Sequence, residues 1–438
     1  MKKQWLLALA SVVAVAACTK TPNPIMDVEV DDPSEAPAAI RFSTNVHYVE
    51  TKAGVDEWDG QDLYIYGFEA GADGSFDYST AYIDNVKAPA PAASGDAENP
   101  TLQGAINVYN ANARDINGNI IPNTYYYYKD GTPENASNGV RDFLYNFYGY
   151  YVDNAAGATP TPAKSEDAVT LDITINGTQD VMLATTDKEA DVVGKTRKDG
   201  DPLTTERLYS AYSARRTVVP NLVFKHQLSR FVFNVKAGND KGKLVMIESI
   251  NVKSLTQGTL TIAPDQLLTP AEGTTYADDA TYLELKQADG SSLPALQGTE
   301  GNYSLPDNAI IPGVNVIPGT VDAAHDGFKR VGESLMVMPG EAQYTLQLNV
   351  IQFKLTDPTG ENIASNRTAM QRFEQLHVID LSETDYNNLA GLTNGQAAPG
   401  YQYTIDLTVY GPEEILINVT LTPWTEYGSH IGIDPDED

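Results

Sequence analysis

The chain has 438 residues, a single cysteine and a net charge of −30, from 29 Lys and Arg against 59 Asp and Glu. That balance argues against nucleic acid and anionic membrane surfaces, both of which need a basic face. One cysteine excludes an internal disulfide framework, and the length suits two packed cores better than one.

The chain opens like an export signal. Lys2 and Lys3 precede an apolar run from Trp5 to Ala17, which closes on Val15-Ala16-Ala17-Cys18. Small residues before a cleavage point mark a secretory signal, here residues 1–17. A cysteine at that point suggests lipoprotein processing, although the usual lipobox has Leu where Val15 stands. The Cys18 thiol then takes a diacylglycerol, the chain is cut before it, and acylation of the new N-terminus adds a palmitate-type chain. Several chains anchor far better than one, since each buried CH₂ contributes about 0.8 kcal/mol. The plainer readings are an ordinary signal peptide or a buried free cysteine. No later run approaches the length of a membrane-spanning helix, so the mature protein is expected to hang from a membrane by lipid without spanning it.

Residues 18–39 are acidic and carry Pro22, Pro24, Pro33 and Pro37, which reads as an extended tether or propeptide. Ordered structure is expected from Ile40, where Ile40, Phe42, Val46 and Tyr48 alternate with polar neighbours as in a half-buried strand. Leu63 to Gly67, Thr124 to Tyr128 and Phe143 to Tyr151 follow. Val169, Leu171, Ile173 and Ile175 then alternate up to Asn176-Gly177, a turn signal. Leu222 to Val235 continues the pattern, as do Leu244–Val252, Thr259–Ile262, Tyr282–Leu285, Ser334–Met338 and Tyr344–Leu355. Short helical turns are expected within Glu206–Ala214 and Asp385–Leu392. The clearest hairpin closes the chain. Tyr403, Ile405, Leu407 and Val409 face one way, Gly411-Pro412 turns, and Ile415, Ile417, Val419 and Leu421 return with the same parity. Many short strands separated by Gly and Pro imply an all-β protein of antiparallel β-sandwich domains. A break near Ala214-Arg215-Arg216 divides it into residues 40–215 and 216–438.

No constellation for catalysis stands out, so the expectation is no enzyme, no cofactor and no metal. His47, His226, His325, His377 and His430 are scattered, without H-x-x-x-H spacing. No nucleophile elbow, P-loop or dinucleotide glycine pattern occurs. The 25 tyrosines suggest sugar stacking at Tyr125 to Tyr128. Tyrosine also suits a pleated, half-buried surface, which is the simpler reading.

Three stretches together resemble the fimbrillin family, the type V pilins of Bacteroidota. The first is Ile40-Arg41-Phe42-Ser43, followed by Thr51-Lys52-Ala53 and Leu63-Tyr64-Ile65-Tyr66-Gly67-Phe68. The second is Gln179-Asp180-Val181-Met182-Leu183-Ala184, leading to Phe224-Lys225-His226-Gln227-Leu228-Ser229-Arg230. The third is the closing hairpin with Pro423-Trp424-Thr425. The resemblance implies two transthyretin-like β-sandwich domains in tandem and export as a lipidated precursor to the outer membrane, and then the cell surface and fimbrium. It also implies an arginine-specific protease that removes the N-terminal segment with its lipid. Its loss leaves a groove of unpaired backbone groups and apolar pockets, which a strand from another pilin subunit fills by β-augmentation. Arg41 is the candidate cleavage residue; its alternative is an outward-facing residue of the first strand. The candidate donor strand is Ile415, Ile417, Val419 and Leu421, or the apolar pair Ile431 and Ile433 in the acidic tail. So short a tail is a thin donor and suits a tip or accessory subunit, which must accept a strand but need not give one, better than a shaft subunit. Adhesion to a host or bacterial surface ligand is the implied role. The competing reading is a lipid-anchored surface glycan-binding β-sandwich protein that does not polymerise.

Overall fold

The computed structural model describes residues 38–45, 61–71, 74–90, 103–106, 108–110, 123–127, 144–153, 159–196, 200–205, 208–214, 216–299, 302–304, 306, 308–313, 327–356, 367–382 and 395–423. The first half contributes β1 (Phe42–Asn45), β2 (Asp62–Glu69), β3 (Ile83–Pro89), β4 (Gln103–Ile106), β5 (Tyr109–Asn110), β6 (Asn123–Thr124), β7 (Tyr145–Val152), β8 (Ala163–Lys164), β9 (Val169–Thr174) and β10 (Val181–Thr186). Two short helices follow, α1 (Lys188–Asp191) and α2 (Ala211–Ala214). Then come β11 (Asn221–His226), β12 (Ser229–Ala237), β13 (Val245–Ser254), β14 (Gln257–Ala263), β15 (Gln266–Pro270), α3 (Tyr276–Asp279) and β16 (Thr281–Glu284). The last strands are β17 (Gln297–Thr299), β18 (Asn302–Ser304), β19 (Lys329–Val337), β20 (Gln343–Leu355), β21 (Arg367–Asp380), β22 (Tyr401–Gly411) and β23 (Glu414–Pro423). The protein is nearly all β, as its alternation predicts.

A seven-stranded sheet runs β3-β2-β7-β10-β11-β1-β4. Both of its faces are covered. Leu63, Ile65, Tyr145, Phe147, Met182, Ala184, Leu222 and Phe224 point into one core, while Tyr64, Tyr66, Phe68, Tyr148, Tyr150, Val181 and Leu183 point into another. The central strands therefore read as near-continuous apolar and aromatic runs, as double burial requires. The tyrosines serve as core. Tyr64 stacks on Tyr150 with ring centres 5.1 Å apart, and Tyr150 Oη donates to Asn85 Oδ1 at 2.7 Å, so its hydroxyl is satisfied at the core edge.

The second face packs against a four-stranded sheet ordered β15-β14-β9-β8. This sheet is built from both halves of the sequence: β9 pairs with β14 along Asp172↔Thr259 and Leu171↔Leu260. A C-terminal sandwich follows, with sheets β19-β12-β22-β23 and β16-β13-β20-β21. The alternation from Leu222 to Val235, continuous in sequence, becomes two strands in different sheets. The chain crosses between them at Gln227-Leu228. Gln227 is buried. Its amide donates to the Val181 carbonyl at 2.8 Å, its Oε1 accepts from Leu268 N at 3.2 Å, and its Nε2 donates to the Lys225 carbonyl at 3.1 Å. These bonds satisfy a polar group that would otherwise be costly inside a core.

The turn at Asn176-Gly177 forms as expected. Gly177 has φ +93°, and a side chain there would lie 2.7 Å from Leu335 Cδ1. In the closing hairpin Tyr403 pairs with Leu421, Ile405 with Val419, Leu407 with Ile417 and Val409 with Ile415.

Candidate functional site

The site begins with residues 38–45. Ala38, Ile40 and Phe42 alternate inward and are buried, at 8%, 3% and 1% exposure, in the core behind the seven-stranded sheet. Arg41 between them is exposed. The half before Arg41 lies antiparallel to 125–127: Ile40 N donates to the Tyr125 carbonyl at 2.7 Å and Tyr127 N to the Ala38 carbonyl at 3.1 Å. The half after it is β1, which enters the main sheet. There β1 is parallel to β11, with Ser43 opposite Asn221, and antiparallel to β4, with Phe42 opposite Ile106.

Aromatic packing fixes both halves. Phe42 meets Phe147 edge-on at 4.9 Å. Tyr127 packs edge-on against Tyr145 at 5.6 Å and Phe147 at 6.2 Å. Tyr125 meets Tyr82 at 5.4 Å. Tyr125 and Tyr127 are thus core residues rather than an exposed sugar platform, and burial pushes the Tyr127 phenol well above its ordinary range.

The β11 side of β1 is pinned by a half-buried carboxylate. Asp191 Oδ2 accepts from Asn221 N at 3.0 Å and from Tyr209 Oη at 2.8 Å. Burial raises its pKa, with the neighbouring Asp187 adding to the rise and the two hydrogen bonds opposing it. Ser43 Oγ donates to Asn221 Oδ1 at 3.2 Å, tying β1 to the same residue.

The second quoted motif proves to be packing. Along Asp180 to Ala184, Met182 and Ala184 face one core while Val181 and Leu183 face the other. Ala184 sits between Gly149 and Phe224. A Cβ on Gly149 would come within 3.1 Å of Phe224 Cζ, so small residues here make room for that ring. Asp180, itself buried, accepts from Val181 N at 2.8 Å and meets His226 Nδ1 at 3.0 Å. This carboxylate–imidazole pair sits beside the crossover and was not singled out by sequence reasoning. The motif containing both residues is its one signal.

The C-terminal candidates Ile415, Ile417, Val419 and Leu421 form the inward row of β23 and are half-buried against the sandwich core. Cys18, Ile431 and Ile433 lie outside the described residues, as do His47, His325, His430 and the expected helical turn at Asp385–Leu392. Arg41 and β23 belong to separate sheets. Among the described residues no cluster of three or more metal-ligating side chains occurs, and no helix is long and apolar enough to cross a membrane.

No family model and no curated protein matches the chain by sequence. Solved structures do match it. A fimbrial protein of Bacteroides vulgatus is 12% identical, with 89% of this chain and 100% of that chain covered and a TM-score of 0.45. A candidate cell adhesion protein of Bacteroides uniformis is 14% identical over 90% and 100% of the two chains, with a TM-score of 0.40. The tip fimbrial protein Mfa3 of Porphyromonas gingivalis, with a C-terminal truncation, is 8% identical over 88% and 99%, with a TM-score of 0.34. The structural neighbours are fimbrial and adhesion proteins of Bacteroidota.

Proposed function

We propose that the chain is a non-enzymatic fimbrial subunit, made as a lipoprotein precursor and assembled by protease-triggered strand exchange. The observation that carries this reading is the placement of Arg41: an exposed arginine between buried Ile40 and Phe42, on a strand whose upstream half closes the core. A cut after Arg41 would release Cys18 with its lipid, and with them Ala38 and Ile40. The apolar positions beside Tyr125 and Tyr127 and two backbone partners would then be left open. An extended segment from another subunit can restore both, through backbone hydrogen bonds and alternate side chains in the vacated positions. An open edge invites aggregation, so keeping the segment in place until export protects the precursor. The donor is a C-terminal strand, β23 or the segment carrying Ile431 and Ile433. The two domains are residues 40–215 and 216–438, each a transthyretin-like sandwich, with β14 and β15 reaching from the second into a sheet of the first.

Immunogold labelling of cells that produce the protein tests the assignment. Label along surface appendages is expected. Label confined to the cell body, with appendages unlabelled, refutes it.

A further inference from the structure

Among the described residues the C-terminal sandwich leaves four sheet edges, and three are guarded. β19 carries Lys329, Arg330 and Glu333. β16 is four residues long. β21 bears exposed Arg372, Glu374 and Asp380, and its half-buried inward positions include the polar Gln375 and His377. Short length, charges and inward polar groups are the usual protections of an edge.

β23 has none of them between Ile415 and Leu421. It is ten residues long and ends its sheet. From Ile415 to Leu421 it reads Ile-Leu-Ile-Asn-Val-Thr-Leu, without charge, Pro or Gly, and its pairing with β22 runs there without a bulge. The inward residues of β22, Tyr403, Ile405, Leu407 and Val409, are fully buried, whereas their β23 partners are only half covered. Leu416 on the outer face is 50% exposed.

We infer that β23 pairs edge to edge with β23 of a second copy of this chain, antiparallel about a two-fold axis through Asn418. The sequence of the strand is matched to itself about that point. Ile415 falls opposite Leu421 of the second copy, Ile417 opposite Val419, Leu416 opposite Thr420, and Asn418 opposite Asn418. Inward residues meet inward residues, so the two apolar rows become one across an eight-stranded sheet. The interface is isologous, as a two-fold dimer requires. Charge is consistent with self-pairing. In a chain of net charge −30 the strand has one charged residue, Glu414 at its end, and no like charges face each other. A shift centring the axis on Ile417 would set Leu421 against Glu413. One centred on Val419 would engage Pro423, which has no N–H to donate. The pairing uses the outer edge of the intact β22–β23 hairpin, so it belongs to the uncut chain and does not depend on the fimbrial reading.

The test uses the full chain with Cys18→Ala, which leaves no other cysteine. Directly opposed residues of an antiparallel pair are about 4.5–5.5 Å apart at Cα, within disulfide reach. Asn418→Cys in this background is therefore expected to give a covalent dimer under mild oxidation. Leu416→Cys alone is expected to give no covalent dimer, because it faces Thr420, but to cross-link when mixed with Thr420→Cys. Asn418→Lys, at an exposed position, places two ammonium groups on the axis. It is expected to weaken dimerisation in sedimentation velocity by at least about tenfold, since like charges directly opposite are unfavourable, while leaving the thermal midpoint of the monomer in place. A chain monomeric at every concentration, or Asn418→Cys cross-linking no faster than Leu416→Cys, overturns the proposal. So does a chain that dimerises only when ended after Pro423, which would mean that its own last residues cover the edge.

Discussion

Cleavage after Arg41 should be gated by a local opening, and the geometry bounds its cost. The Arg41 side chain is exposed, but a protease needs several residues around the scissile bond in a free, extended form. Residues 38–40 must first leave 125–127. Opening gives up two backbone hydrogen bonds, each contributing about 1 kcal/mol net. It also exposes Ile40, which contributes about 1.5–3 kcal/mol, and the smaller Ala38. Freeing about three residues returns about 1–2 kcal/mol of conformational entropy each. With about 3.5–5 kcal/mol lost and about 3 kcal/mol returned at the low end of the entropy range, the closed state is favoured by about 1–2 kcal/mol. That corresponds to roughly a tenth of molecules open, and cleavage tracks the open population when closing is fast. An arginine-specific protease should then cut the native chain after Arg41 about tenfold more slowly than a peptide of the same sequence. Ile40→Ala removes about 2 kcal/mol or more of closed-state stability and should bring the rate close to that of the peptide. The assay is timed digestion followed by intact-mass measurement. Cleavage as slow as global unfolding, or a rate unchanged by Ile40→Ala, would refute the reasoning.

Further outcomes follow from the same structure. Phe42→Ala should lower stability by about 3–5 kcal/mol in urea denaturation, because the ring is buried edge-on against Phe147; a loss below about 1 kcal/mol would show that β1 is not held in the core. The phenols of Tyr66, Tyr145, Tyr148, Tyr150 and Tyr209 are pushed up by burial from an ordinary 10.0. The unfolded chain releases these protons first, so their contribution to stability is fully present below pH 10 and is lost as the pH rises above it. The melting temperature should fall there, and tyrosinate absorbance should rise in step with unfolding; ionisation of these phenols in a still folded protein would contradict the packing. Cys18→Ala should abolish incorporation of labelled palmitate in producing cells, and a variant that still incorporates it would remove the lipid anchor from the account.

Where sequence and structure agree, local physics sufficed. The strand at Val169 and the closing hairpin carry clean two-residue alternation, and Asn176-Gly177 marks its turn, so side chains alone announce them. Where they differ, the deciding contact is remote. β21 has a weak apolar pattern, with Gln375 and His377 at inward positions, and is held as a strand by thirteen residues of β20. The change of sheet at Gln227 depends on Val181 and Leu268, far away in the chain. The sheet joining β9 to β14 cannot be read from either strand alone. The tyrosine runs suit a half-buried strand on local grounds, with sugar stacking as the alternative, whereas their near-complete burial depends on two cores meeting the same sheet. At the candidate site, Arg41 stands out in the sequence by its place just after the acidic, Pro-containing residues 18–39. Its flanking contacts with Tyr125 and Tyr127 needed the fold.

The most direct test of strand exchange is to digest the purified precursor with an arginine-specific protease, alone and with its co-expressed partner subunits, and to follow the product on SDS gels without boiling. Loss of the N-terminal segment followed by SDS-resistant ladders is the predicted result. A cleanly cut protein that stays monomeric at high concentration, with and without those partners, would contradict it.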